Sequence, residues 1–468
     1  MKAKICIFVS VIVLFAGMLA LNMLYNTSDK EEIKKKNKDI AWDPLEKEKL
    51  LESKTGDFET DLPVIYIDTD DAQILKEDKR ECKIALNNAS GQLRPVSDEP
   101  DEAYYATINH RGASSYSQFE KKQYRIEFFQ DKQFKKEADV ELFGMAGHSE
   151  WVLNGPFLDK TMMRNKLVYD LSREIMQWAP DTRYCELFLN GEYQGVYLAT
   201  EPVTNGTGRL RLSKFGLLSG NTAFIVKRDR VGTETTSLKN YGTIAGKTVN
   251  ELYLDYPTED KVTPKEISWI TKRISDFERA LYKDDFAEKG EYLHYIDVDN
   301  FVDYYIINEL FMNIDAGNLS TYVYEELNGK MCLAVWDFNN CLDNYQWGKH
   351  ETNEFYILEN PWFDRLLKDP AFVDRVVDRY YELRKTSLSE EHMLELLQQY
   401  QEEMGDAVER NFEVWGFSFY FDLLVDSYED KRDAKSYEDA CGQLKTTLHE
   451  RLAFLDEHIT DLYNGVTY

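Results

Sequence analysis

The sequence predicts an α+β protein of two lobes with a cleft between them. Three observations carry this. Residues from Leu62 to Pro202 hold most of the period-two segments and one helical stripe. From about residue 264 the periodicity turns helical. One hairpin interrupts that helical half, from Met312 to Asn340. The expected divisions are an N-terminal anchor over 1–25, a charged linker over 26–58, a strand-rich lobe over 59–205 and a mainly helical lobe over 206–468.

In chain order, Lys2 and Lys4 precede a nearly unbroken apolar run from Ile5 to Tyr25, long enough to span a bilayer as a helix. No small-residue cleavage site of signal-peptide type follows it, so a retained anchor is expected. The two lysines should stay in the cytoplasm and the rest of the chain outside it. Residues 26–58 are charged and aperiodic, as a linker is. "LPVIYIDT" (62–69) opens the strands. In "QYRIEFF" Tyr124, Ile126 and Phe128 alternate with Arg125 and Glu127, the pattern of a half-buried strand. Met163, Leu167, Leu171 and Ile175 recur every fourth residue, so 158–178 reads as a helix, with Asp159 or Thr161 as its cap. Asn190-Gly191 marks a hairpin, and "TAFIVKRD" and "ELYLDYP" look like further strands. Residues 297–313 are apolar nearly all round, which predicts a buried helix.

Composition excludes several functions. Hydrophobic residues make up 43% of the chain and aromatic residues 13%, as in a packed globular protein. The net charge of −28 argues against nucleic acid, whose phosphates need concentrated Lys and Arg. An anionic substrate would then need a local basic pocket or a metal. Six cysteines at irregular spacing, with Cys6 in the anchor, make no disulfide framework. No CxxC or HExxH occurs, so a zinc site is not expected.

The hairpin carries the chemistry. Asp315 precedes its first strand and Asp337 follows its second, so both should emerge at one end of the ladder. Asn318 and Asn339 add amide oxygens nearby, and such an oxygen set suits Mg²⁺ or Mn²⁺. Phosphoryl transfer uses this division: one carboxylate orients the attacking hydroxyl, the other fixes the cation on the phosphates. The same residues also read as turn or capping residues. Arg111-Gly112-Ala113-Ser114-Ser115 forms a small-residue turn between strands that suits a phosphate-covering loop. Lys122 follows as a candidate phosphate-contacting lysine, or a solvated edge lysine. Glu174, on the one helix of that lobe, is a candidate partner for it, or merely solvated. Glu201, within "ATEPV" (199–203), falls where an inter-lobe hinge would contact adenine.

The chain resembles the spore coat protein H (CotH) kinase family. The resemblance rests on "HRGASSYSQFEKKQYRIEF", "WVLNGPFLDKTMMRNKLVYDLSREI", "RYCELFLNGEYQGVYLATEP", "DVDNFVDYYIINELFMNIDAGNLSTYVYEE", "AVWDFNN" and "PWFDRLLKDPAF", in that order. It implies an atypical protein-kinase-like fold, ATP with Mg²⁺ or Mn²⁺ as cofactors, and phosphorylation of Ser, Thr or Tyr hydroxyls on a protein substrate. Asp315 matches the family's N-x-D aspartate, a base or second metal ligand. Asp337 matches the metal-binding aspartate of its W-D-F-D motif. Asn339 stands where the family usually has a second aspartate, and it lacks the charge. Two other readings stay open at this level. One is a catalytically inactive surface or coat-assembly protein. The other is a glycosidase using Asp315 and Asp337 as acid and base, for which the 30 tyrosines would provide sugar stacking.

Overall fold

The computed structural model describes residues 58–88, 91–213, 221–230, 236–421, 423, 424 and 432–465. The apolar run 5–25 lies outside them. Among the described residues no helix is long and apolar enough to cross a membrane. The fold is α+β, as the periodicities predict.

The first nine strands are β1 (Glu59–Thr60), β2 (Val64–Asp68), β3 (Arg80–Asn87), β4 (Arg94–Pro95), β5 (Glu102–Arg111), β6 (Gln123–Phe129), β7 (Glu150–Asn154), β8 (Thr182–Leu189) and β9 (Glu192–Thr200). Seven of them close into a barrel in the order β2-β3-β5-β6-β7-β9-β8. Neighbours pair antiparallel except β2 with β8, which run parallel and close the ring. Ile65, Ile84, Ile108, Ile126, Leu153 and Leu187 fill the interior. The alternation predicted in β6 places Tyr124, Ile126 and Phe128 inward, while Arg125 points out to pair with Glu150. Closure was not legible locally. It depends on a parallel pairing between strands more than a hundred residues apart, and parallel strands carry no turn signal.

Helix α1 (Ser114–Gln118) continues the Arg111–Ser115 turn. Helix α2 (Arg164–Ile175) starts later than expected, with Met163 at its N-cap position and no side-chain cap bond, so neither Asp159 nor Thr161 is the cap; from the preceding turn Asp159 Oδ2 accepts the Arg164 N–H and Thr161 Oγ1 accepts the Met163 N–H. Met163, Leu167, Leu171 and Ile175 bury the expected stripe. The stripe joins one large core with the outer face of the barrel, at Val152, Val196 and Leu198, and with the C-terminal half.

That half holds more sheet than one hairpin. Strands β10 (Phe224–Asp229), β11 (Ser237–Leu238), β12 (Glu251–Tyr256), β13 (Thr321–Glu325) and β14 (Met331–Ala334) form a five-stranded antiparallel sheet in the order β11-β12-β10-β13-β14. The predicted hairpin is β13–β14, with Tyr322 opposite Ala334 and Glu325 opposite Met331. Its outer edge pairs with β10, Lys227 lying opposite Tyr322. The helices around this sheet are α3 (Pro264–Leu281), α4 (Val298–Leu310), α5 (Pro370–Leu383), α6 (Glu390–Met404), α7 (Ala407–Trp415) and α8 (Tyr437–His458). α4 is buried all round, as its composition predicts, and Asp297 caps it by accepting the Asn300 N–H. α7 returns to the barrel. There Asn411 Oδ1 accepts both the Val196 N–H and the ammonium of buried Lys121.

Candidate functional site

The barrel and the C-terminal sheet meet at a cleft of about 420 Å³. The barrel contributes the Arg111–Ser115 turn and the end of β7, at Asn154 and Gly155. Gly112 makes this turn possible: its φ is +88°, and a Cβ there would lie 2.1 Å from Ser115 Oγ. The C-terminal sheet contributes Lys227, Asp229 and Arg230 from the end of β10, Asp315 and Ser320 before β13, and Trp336, Asp337, Asn339 and Asn340 after β14.

The hairpin does bring its two outer ends together. Ser320 Oγ donates to Asp337 Oδ2 at 3.4 Å. Asp315 feels Asp337 as well: burial first, and then the Asp337 charge, push its carboxyl up to about 6. Asp337 itself adopts φ +65°, a conformation uncommon for a residue with a side chain. It is held there by its neighbours. Its N–H donates to the Tyr169 hydroxyl of α2 at 3.1 Å, and the Phe338 N–H donates to Asn165 Oδ1 at 2.8 Å. Asn165 Nδ2 then donates to Asn339 Oδ1 at 2.8 Å, and Asn339 Nδ2 donates to Asp337 Oδ1 at 2.8 Å. The first residues of α2 thus lock the loop that follows β14.

The same cleft also gathers four cations. Lys76, Arg111, Lys227 and Arg230 all line the cleft, a local reversal of sign in a chain of net charge −28. Arg111 lies over the Trp336 ring at 5.1 Å and donates to Gln123 Oε1 at 3.2 Å. Arg230 donates to Ser114 Oγ at 3.4 Å, joining β10 to the barrel turn. Burial alone would lower Lys227, but Tyr322 and the ion-paired Asp229 outweigh it and hold the ammonium above its ordinary range.

Six residues proposed from sequence therefore share one cleft: Arg111, Ser114, Ser115, Asp315, Asp337 and Asn339. Four others lie elsewhere. Lys122 donates to the Tyr116 and Phe119 carbonyls at 2.7 and 2.6 Å, tying down α1 from behind. Glu174 is exposed and pairs with His392 of α6 at 2.9 Å. Glu201 is buried in an ion pair with Arg209, and its own N–H donates to the Asp181 carbonyl. Asn318 Oδ1 accepts from Asn250 Nδ2 at 3.0 Å, away from the cleft lining. The lysines that do enter are Lys76 and, from β10, Lys227. The signal for Lys227 was a strand ending in Lys-Arg-Asp, but nothing local says that this strand borders the hairpin.

The cleft offers oxygen donors to a divalent cation. Asp337 and Asp315 offer carboxylates, and Mg²⁺ is commonly bound by one or two of these with the rest of its shell from water and phosphate. Asn154 Oδ1 is buried at the cleft with no hydrogen-bond donor among the described residues, an oxygen open to a ligand. Asn339 fits less well, because its oxygen is taken by Asn165 and its amide N–H faces Asp337. Among the described residues no group of three His, Cys, Asp or Glu side chains is placed to hold a metal by itself.

Fold and cleft together define a class: an α+β protein whose barrel and second sheet enclose a polar pocket that holds both cations and carboxylates. The chain belongs to the CotH kinase protein family, whose model matches residues 108–455. It is similar to inner spore coat protein H of Bacillus subtilis (strain 168), at 28% identity over 195 residues. That match covers 42% of this chain and 47% of the relative, so the chain spans about half the length of this curated protein.

Proposed function

We propose that the protein is an ATP- and divalent-metal-dependent protein kinase of CotH type, with the barrel acting as the N-terminal lobe of a two-lobed kinase-like fold. The observation that carries this reading is the gathering of Lys227, Arg111 and Arg230 with Asp315 and Asp337 in one cleft. Phosphoryl transfer is mostly positioning and charge compensation, and this arrangement provides both. The cations hold the phosphate oxygens. Asp337 would hold Mg²⁺ or Mn²⁺, which when bound offsets phosphate charge. Asp315, raised to about 6, is ionised at neutral pH yet basic enough to take the proton of a Ser, Thr or Tyr hydroxyl on a protein acceptor. A glycosidase would have no use for the cations gathered in the cleft. The apolar run 5–25 would tether this catalytic part outside the cytoplasm, consistent with a relative named for the spore coat.

One observation favours a second reading, a binding protein without transfer activity: Asn339 presents an N–H, not an oxygen, to Asp337. A single-turnover assay with labelled ATP, Mn²⁺ and an acceptor protein separates the two. Wild type should transfer label, and Asp315→Asn should keep nucleotide binding while losing roughly 10²–10⁴-fold in rate. No transfer by wild type leaves the binding-only reading. An unaffected D315N makes Asp315 a structural cap.

A further inference from the structure

Asp315 lies on neither a helix nor a strand. It sits in the connection between α4 and β13, so no ladder of backbone bonds fixes it. Internal turns hold part of the segment: the Ala316 N–H donates to Asn313 O, and the Asn318 and Leu319 N–H groups both donate to Asp315 O, at 2.9 and 2.7 Å. The carbonyls on either side of Asp315 go elsewhere. Asn360 Nδ2 donates to Ile314 O at 3.1 Å and to Ala316 O at 2.7 Å. One side-chain amide thus grips the backbone on both flanks of the carboxylate. The next carbonyl, Gly317 O, accepts from Arg228 Nη1 at 2.6 Å.

Arg228 is itself immobilised. It is fully buried, its guanidinium stands 4.3 Å from the Trp362 ring centre, and Glu278 lies 3.8 Å away. The Glu278 carboxylate accepts from Asn240, the Gly242 N–H and Trp362 Nε1, so it too is fixed. Arg228 is flanked on β10 by Lys227 and Asp229, both of which line the cleft. Gly317 completes the fit: its φ is +76°, and a Cβ there would come within 3.2 Å of the Pro361 carbonyl. The backbone of 314–317 is therefore pressed onto residues 360–361 and tied to the strand that carries the cleft lysine.

We propose that Asn360 is a positioning residue for the reaction: through the Ile314 and Ala316 carbonyls it sets the distance between Asp315 and the hydroxyl it serves. This rests on the kinase reading above. Asn360 lies outside the cleft lining, so its removal should leave nucleotide contacts intact. A displaced base of about 1 Å is enough to cost ~10²-fold in rate.

The test compares full-length wild type with N360A by hydrogen exchange over residues 313–320, by Mg-nucleotide affinity and by single-turnover transfer. N360S, which keeps one donor, is carried alongside in case N360A does not fold. The expected result is faster exchange at the Asn318 and Leu319 amides, nucleotide affinity within twofold of wild type, and a rate lower by roughly 10–100-fold, with N360S between. Unchanged exchange, or faster exchange with an unchanged rate, overturns the proposal. Loss of nucleotide affinity in step with the rate also overturns it, since that is general damage. A wild type that transfers nothing overturns the kinase reading and this role with it, an outcome distinct from an active wild type with an equally active N360A.

Discussion

Asn339→Asp is the most informative single change in the cleft, because its sign should reverse with the cation. Without metal, Asn339 Nδ2 donates to Asp337 Oδ1 at 2.8 Å while its own Oδ1 accepts from Asn165. Asn165 cannot readily turn its amide, since its oxygen is already bonded to the Phe338 N–H. Aspartate at 339 would keep the bond from Asn165 and set its second oxygen against Asp337. Two unit charges about 4 Å apart repel by roughly 1–4 kcal/mol across the dielectric range from water to a protein surface. Asp337 is exposed, so the lower end applies. A lost bond to a charged acceptor adds about 1 kcal/mol at such a site. N339D should therefore unfold about 1–3 kcal/mol more easily than wild type in chelator at neutral pH. The introduced carboxylate has its folded pKa raised by Asp337, so this deficit is present above that pKa. It should vanish as pH falls below the unfolded value of about 3.9. With Mg²⁺ or Mn²⁺ the same pair becomes a ligand pair, and nucleotide-metal affinity should rise about tenfold, or roughly 1.4 kcal/mol. Urea unfolding with and without Mn²⁺, together with calorimetric titration of Mg²⁺ and an ATP analogue, measures both halves. A variant as stable as wild type in chelator, with unchanged metal affinity, would show that Asn339 does not face Asp337 and does not belong to the cation site.

Three further expectations follow. Lys227→Met should weaken ATP-analogue binding by at least about tenfold, as loss of a charge-assisted phosphate contact does. Lys122→Met should leave affinity within about twofold, since that ammonium is spent on the Tyr116 and Phe119 carbonyls. Equal effects measured by calorimetry would refute this assignment. The transfer rate should rise with pH through about 6, where Asp315 ionises. Because its folded pKa is raised, ionised Asp315 costs stability above that pH, and the cost disappears as pH falls through the ordinary carboxylate range. D315N should accordingly be more stable than wild type at neutral pH and no more stable in acid; equal melting temperatures at both would refute the burial of its charge.

The elements of this protein are mostly local and were legible in its sequence. Period-two alternation put Ile126 and Phe128 inside β6, a four-residue stripe marked α2, and an all-apolar run marked α4 as buried. The hairpin was legible too, and with it the approach of Asp315 to Asp337, because antiparallel pairing brings the outer ends of two strands together whatever surrounds them. Arg111, Ser114, Ser115 and Asn339 lie in the same cleft, on short segments next to strand ends that are local features too. What sequence could not decide was which distant pieces meet. Barrel closure needed the parallel β2–β8 pair. The extra sheet needed β10 to lie against β13, and that single adjacency delivered Lys227 and Arg230 to the cleft in place of Lys122. Glu174 found His392 as a partner instead of a nucleotide-binding lysine, and Glu201 found Arg209 instead of a place at an adenine-contacting hinge. The grip of Asn360 on the Asp315 loop joins residues more than forty positions apart. Periodicity and turn chemistry act over a few residues and leave their mark in the order of side chains. Contacts between distant segments are selected by the packing of the whole core, and that is where the two walls of the cleft are brought face to face.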